Sequence, residues 1–180
     1  WRVVGFAGFF SVLIWSSRAS CHLATFLDLP SLAIVVGLPV TLLLGVYGGA
    51  DLGGAVTDLF RRPASWRDPR RSAGVFQVAA ALALISGGVG TVTGQIARLS
   101  NVNDPSNVGP GLATSLLTTL YGLVFAAVLY SAAVILTGRI GDSAASERLA
   151  RQGIVASAAA VSVGVASTGA LIGILFLVFR

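Results

Sequence analysis

The chain has 180 residues, 55% of them hydrophobic and only 11% charged, with a mean hydropathy of +0.87. Soluble domains carry about a quarter charged residues, so this composition excludes one and specifies an integral membrane protein. The net charge of +5 rests on arginines in short stretches between apolar segments, which argues against a nucleic-acid footprint, and a lone Cys21 excludes an internal disulfide or a multi-cysteine metal site.

Five apolar segments follow in chain order, and they predict an all-α polytopic membrane bundle of four to five transmembrane helices with little soluble structure. The first, about 3–24, reaches bilayer length only if the helix continues past Trp15, since a span takes about 20 residues. No methionine occurs, so Trp1 is not an initiator; the N-terminus is expected to be processed or preceded by further residues. The second segment, about 32–50, starts after Pro30 and Ser31 and carries Pro39 as an expected kink. The third, fourth and fifth cover about 73–97, 112–137 and 154–179. Residues 1–180 thus read as one membrane domain with a short cytoplasmic linker at 51–72.

Arginines set the expected orientation. Arg2, Arg61, Arg62, Arg67, Arg70, Arg71, Arg139, Arg148 and Arg151 fall on one side, against Arg18, Arg98 and Arg180 on the other. The positive-inside rule places the first group, and with it the N-terminus, in the cytoplasm.

Glycine and alanine are dense in the last three segments, with Gly87, Gly90, Gly94, Gly111, Gly122, Gly164 and Gly173 among them. Small residues at such spacing let helix backbones approach closely in lipid. Packing within one subunit and a homo-oligomer interface both need that approach, and spacing does not separate them.

No Asp, Glu or Lys lies mid-segment, and His22 is placed near the outer surface. A proton relay through lipid normally uses carboxylates or histidines, so a second polypeptide must supply the acid if the assembly moves protons. Hydroxyls remain. Thr114 and Thr118 share one face of the fourth segment, and Ser115 and Thr119 share another. Gly111, Ser115, Thr118 and Gly122 trace one small, polar stripe; Gly87, Thr91, Gln95 and Arg98 trace a second on the third segment. Such oxygens could ligate a passing cation or hold water, or each threonine could bond the carbonyl one turn back. Asn103 to Ser106 forms an Asp-Pro turn, and Gly109-Pro110-Gly111 starts the fourth helix. Arg98 can snorkel to headgroups or guard an outer vestibule. Gly87-Gly88-Val89-Gly90 lacks a preceding strand and the full phosphate-loop pattern, and no Ser/His/Asp or Ser/Lys set can be assembled in the membrane. Neither an enzyme nor a bound cofactor is expected; the only small species is a transported H+ or Na+.

Several runs resemble the last two spans of flagellar stator A subunits, within the MotA/TolQ/ExbB family of ion-channel subunits. They are Gly90-Thr91-Val92, Asn103-Asp104-Pro105-Ser106, Val108-Gly109-Pro110-Gly111-Leu112-Ala113 and Leu116-Leu117-Thr118-Thr119-Leu120-Tyr121-Gly122. Phe26 to Gly37 resembles the start of the second span in the same proteins. The resemblance implies a homopentamer in the bacterial inner membrane around a dimer of single-span, MotB/ExbD/TolR-like partners whose membrane Asp takes up the ion. It also implies that Thr91, with Thr118 or Thr119, lines the ion path and that Pro110 shapes the outer end of the pore helix; Thr114 and Ser115 join the expected path through the helix faces that they share with Thr118 and Thr119. Tyr121 and Gly122 would pack at or near the pore wall. Two features depart from stators: the large cytoplasmic domain shrinks to the Arg-rich linker, and 154–179 adds a span. A pore-forming subunit of an ion-driven rotary motor is therefore expected, serving an envelope process other than flagellar rotation. The alternative is a non-conducting oligomeric membrane scaffold.

Overall fold

Three aspartates mark where the helices begin. The computed structural model describes residues 28–60, 68–99 and 108–178, with scattered positions between 5 and 15. Four long helices fill the three blocks: α1 (Leu29–Phe60), α2 (Pro69–Leu99), α3 (Val108–Arg139) and α4 (Ser143–Val178). Asp28 accepts the Ser31 amide at 3.2 Å, Asp68 that of Arg71 at 3.1 Å, and Asp142 that of Ala145 at 3.0 Å. Each carboxylate satisfies an amide that the helix cannot pair internally and places negative charge at the positive end of the helix dipole. Acids that the sequence confines to segment ends thus act as N-caps.

The second to fifth apolar segments become α1 to α4, and every helix is long and apolar enough to cross a membrane. The chain is a multi-pass, all-α membrane bundle. At 1.5 Å per residue, helices of 31 to 36 residues exceed the roughly 30 Å hydrocarbon layer, so their ends project beyond it. Residues 51–60 and 69–72, within the segment read as linker, are accordingly helical. The expected kink at Pro39 lies elsewhere. Dihedrals stay helical through Pro39 and break at Gly48, with φ 75° and ψ 162°. Only glycine tolerates such a φ without strain, whereas a proline ring can be carried by a helix that forgoes one hydrogen bond. The α3–α4 connection is a tight turn in which Gly141 takes φ 84° and donates to the Gly138 carbonyl.

The most extensive interface joins α2 to α3; α1 packs on both, and α4 lies against α3 and α2 on another side. Two apolar clusters hold this arrangement. Ala55, Phe76, Ala133, Leu136 and Leu149 pack near the Arg139 end, and Ala80, Ala83, Leu84 and Ala126 form a layer in mid-bundle. The exposed apolar side chains of α1 and α4, Val46, Val155 and Val165 among them, form the surface that lipid would cover. A small polar group lies near the Arg139 end of the bundle. The buried Asp58 accepts from Ser72 Oγ at 2.7 Å, Arg71 pairs with Asp51 at 2.5 Å, and Arg139 donates to the Leu59 carbonyl at 3.1 Å.

The first apolar segment as a span, His22, Cys21, the Asn103–Ser106 turn and the side chain of Arg98 lie outside the described residues.

Candidate functional site: a hydroxyl cluster where α2 crosses α3

The two small-residue stripes meet. At their crossing a methyl group built on Gly122 would stand 2.8 Å from the Ala83 carbonyl and 3.0 Å from Gly87 Cα, so the backbones touch with nothing between them. That approach brings the hydroxyls of α3 within reach of α2. Gly111, Ser115, Thr118 and Gly122 are all buried, as are Gly87, Thr91 and Gln95.

Thr91 is the hub. Its Oγ1 lies 2.8 Å from the Gly87 carbonyl, 3.0 Å from the Ser115 carbonyl and 2.5 Å from Thr119 Oγ1. A hydroxyl carries one proton, so Thr91 donates to a carbonyl while Thr119 donates to Thr91. The Ser115 hydroxyl turns back to the Leu112 carbonyl at 2.8 Å, leaving its main-chain oxygen to the cluster. Gly164 of α4 closes the other side, where a methyl would lie 3.4 Å from Thr119 Cγ2.

Thr118 belongs to a different group. It donates to Ser31 Oγ at 2.9 Å, with the Thr114 carbonyl at 3.3 Å, and Ser31 in turn bonds the Asp28 carboxylate. Tyr121 extends this group, accepting the Asp28 amide at 3.1 Å. The candidate site residues therefore divide. Thr119, bonded to Thr91 beside the Ser115 carbonyl, packs against Gly164 of α4; Thr118, Tyr121 and the Thr114 carbonyl group with the start of α1. Gly122 is the contact point between α2 and α3. Gly109 and Pro110 fall in the first turn of α3, and their side-chain surroundings lie outside the described residues.

Ser31 and the α4 residues Ser167 and Thr168 were not among the sequence candidates, and Gly164 was read only as a small residue for close packing. Gln95 Nε2 donates to Ser167 Oγ at 3.3 Å and to Thr168 Oγ1 at 3.2 Å, which ties α4 to the cluster. The run Gly164 to Thr168, small and hydroxylated within an otherwise apolar segment, was the available signal.

Chemically the cluster offers neutral oxygens and no charge. Among the described residues, no three His, Cys, Asp or Glu side chains group as metal ligands. Hydroxyls that can exchange partners between each other and a carbonyl suit transient contact with water or a small cation rather than bond-making chemistry.

Comparison with known proteins shows what this region is similar to. Residues 65–148 match the model of the MotA/TolQ/ExbB proton channel family, which is not an enzyme class. The chain is 38% identical over 84 residues to chemotaxis protein PomA of Vibrio alginolyticus, covering 46% of this chain and 33% of that protein. It is 55% identical over 40 residues to motility protein A of Aquifex aeolicus, covering 22% of this chain and 16% of that protein. A third relative, motility protein A of Cereibacter sphaeroides, is 47% identical over 45 residues, 25% of this chain and 18% of that protein. The chain thus spans a third or less of these curated relatives. Within that span lie the α2–α3 crossing and its threonines, and residues 65–148 are similar to MotA/TolQ/ExbB proteins, with motility protein A and PomA among the relatives matched.

Proposed function

We propose that the chain is the pore-forming subunit of an ion-motive-force-driven motor or channel of the bacterial inner membrane. In this reading it assembles as a homopentamer, its N-terminus in the cytoplasm, around a dimer of single-span partners that carry the membrane Asp. The transported ion is H+ or Na+. The observation that carries the reading is the Thr91–Thr119 hydroxyl pair at the close α2–α3 crossing, inside the segment that matches the family model.

The chemistry supports a division of labour. Between Arg71 and Arg98 on α2, and along α3 up to Arg139, the sequence holds no ionisable acid or base other than tyrosine, so these two helices can guide an ion but not store its charge. A partner carboxylate would bind the ion, and the hydroxyl pair would replace part of its hydration shell in passing. Because α1 ends at Phe60 and α2 begins at Pro69, the connection has no room for a folded rotor-binding domain. The driven process is accordingly an envelope function other than flagellar rotation.

The test combines subunit counting of the purified complex by native mass spectrometry with ion uptake by membrane vesicles bearing Thr119→Val. Five copies, and uptake lost with assembly intact, are the expected results. A non-pentameric chain with no Thr119-dependent uptake would leave a membrane scaffold.

A further inference from the structure

Helix α4 stands over the hydroxyl pair that the proposed ion path uses. A methyl built on Gly164 would lie 3.4 Å from Thr119 Cγ2 and 3.5 Å from its Oγ1, so no side chain fits between the two helices there. Thr91, the other half of the pair, is only 2% exposed. A carboxylate from another chain cannot come to this pair from the α4 side while the helix is seated.

The seat itself is slight. Of the described residues on α4, only Leu149, Gly153, Gly164 and Leu171 are buried. Their spacing keeps them on one narrow stripe, and the two glycines have little apolar surface to bury. Beside the Gly153 contact with Tyr130, an apolar groove of about 760 Å³ opens between α3 and α4, with Ala127, Val134, Ala150 and Ile154 in its walls. Helices in lipid are held by van der Waals packing, so such a groove weakens the hold. By contrast, α2 and α3 touch backbone to backbone. Two side-chain bridges supplement the stripe. Gln77 Nε2 donates to Gln152 Oε1 at 3.0 Å, and Gln95 Nε2 donates to Ser167 and Thr168 one turn beyond Gly164.

We propose that α4 is a displaceable cover, which closes the Thr91–Thr119 pair in the resting subunit and moves aside when the partner's helix docks on the same face. The inference rests on the conducting reading above. Cover and partner compete, so a subunit without its partner does not leak ions. The satisfied bridge from Gln95 to Ser167 and Thr168 is the latch, and the narrow stripe lets α4 leave without unpacking the α2–α3 crossing. The partner has only to bind the uncovered form better than the covered one for the equilibrium to shift.

Ion uptake by vesicles from cells carrying the full chain and its natural partners provides the test, with Thr119→Val run beside it. Ser167→Ala combined with Thr168→Val removes the latch. Uptake is expected to rise about sevenfold at unchanged membrane abundance, the shift that two helix–helix hydrogen bonds of average membrane strength give. The hydroxyl-preserving pair Ser167→Thr with Thr168→Ser is expected to return it to the starting level. Unchanged or lowered uptake in the latch variant, with Thr119→Val inactive, overturns the cover and leaves the conducting reading standing. Full uptake through Thr119→Val, or no uptake by any of the chains, removes the conducting reading and the cover with it. Should the latch variant fail to accumulate, a disulfide decides. A Cβ at Gly164 stands 3.9 Å from Thr119 Cβ, so Gly164→Cys with Thr119→Cys, in a Cys21→Ser background, reports the seated helix. Its oxidation is expected to be several-fold slower in vesicles that hold the partners than in vesicles of the purified chain. Equal rates overturn the proposal.

Discussion

Thr118 and Thr119 are sequence neighbours bound to different helices. Thr118 donates to Ser31 of α1, whereas Thr119 bonds Thr91 of α2. A step of about 100° around α3 is enough to part them. One links the start of α1 to the bundle; the other sits in the groove that α4 closes.

Valine in place of each threonine should therefore separate two effects. Thr119→Val is expected to abolish ion uptake with the complex intact, because it removes the donor to Thr91 without changing side-chain shape. Thr118→Val is expected to lower stability by about 0.6–1.7 kcal/mol, the range for a helix–helix hydrogen bond in a membrane, and to retain uptake. Vesicle uptake and a detergent melting curve on both variants check this; the reverse assignment would place the path on the α1 side.

The aspartate caps allow a sharper test than most surface residues. Asp142 accepts the Ala145 amide in the turn between α3 and α4, where the helix has no carbonyl of its own to offer the first-turn amides. Asp142→Ala is expected to destabilise the fold by about 1 kcal/mol, while Asp142→Asn or Asp142→Ser retains most of that capping. A lower melting temperature for the alanine variant alone is the signature to seek.

Much of the bundle was legible from apolar segment length, because lipid obliges each span to pair its backbone within a helix. The stripes Gly111-Ser115-Thr118-Gly122 and Gly87-Thr91-Gln95 were also legible, since helical periodicity alone puts their members on one face. What periodicity does not encode is which neighbour a face meets. Thr114 and Ser115 read as pathway hydroxyls; in the structure their main-chain oxygens also accept from Thr118 and Thr91, which no periodicity announces. The break at Gly48 was hidden for a similar reason. Proline advertises a kink locally, whereas a glycine reveals one only through the backbone angle it adopts.

Asp58 is the most buried acid described, 1% exposed, at the end of α1 opposite the Asp28 cap. Ser72 reaches it from the first turn of α2 at 2.7 Å and links the two helices across the 61–68 connection. Ser72→Ala removes one donor from a desolvated carboxylate, and a loss of about 1–3 kcal/mol is expected. Ser72→Thr, which keeps the hydroxyl, should lose far less. Equal losses in the two variants, read from chemical unfolding, would mean that packing rather than the hydrogen bond holds this end.

Gly122 offers the cleanest test of how the site is assembled. An added methyl would come within 2.8 Å of the Ala83 carbonyl and 3.0 Å of Gly87 Cα, and both are backbone atoms that cannot rotate away. Gly122→Ala must push α2 from α3, with a destabilisation of about 1–3 kcal/mol typical of overpacking. The same shift lengthens the Thr91–Thr119 contact, so uptake should fall together with stability. Gly45 on α1 has open space where a methyl would stand, so Gly45→Ala should be neutral or stabilising by about 0.4–1 kcal/mol, through the unfolded state and better helix propensity. Melting curves for the pair distinguish a crossing that depends on backbone contact from a general intolerance of alanine. Were Gly122→Ala as stable and as active as Gly45→Ala, the α2–α3 approach would not be what positions the hydroxyl pair.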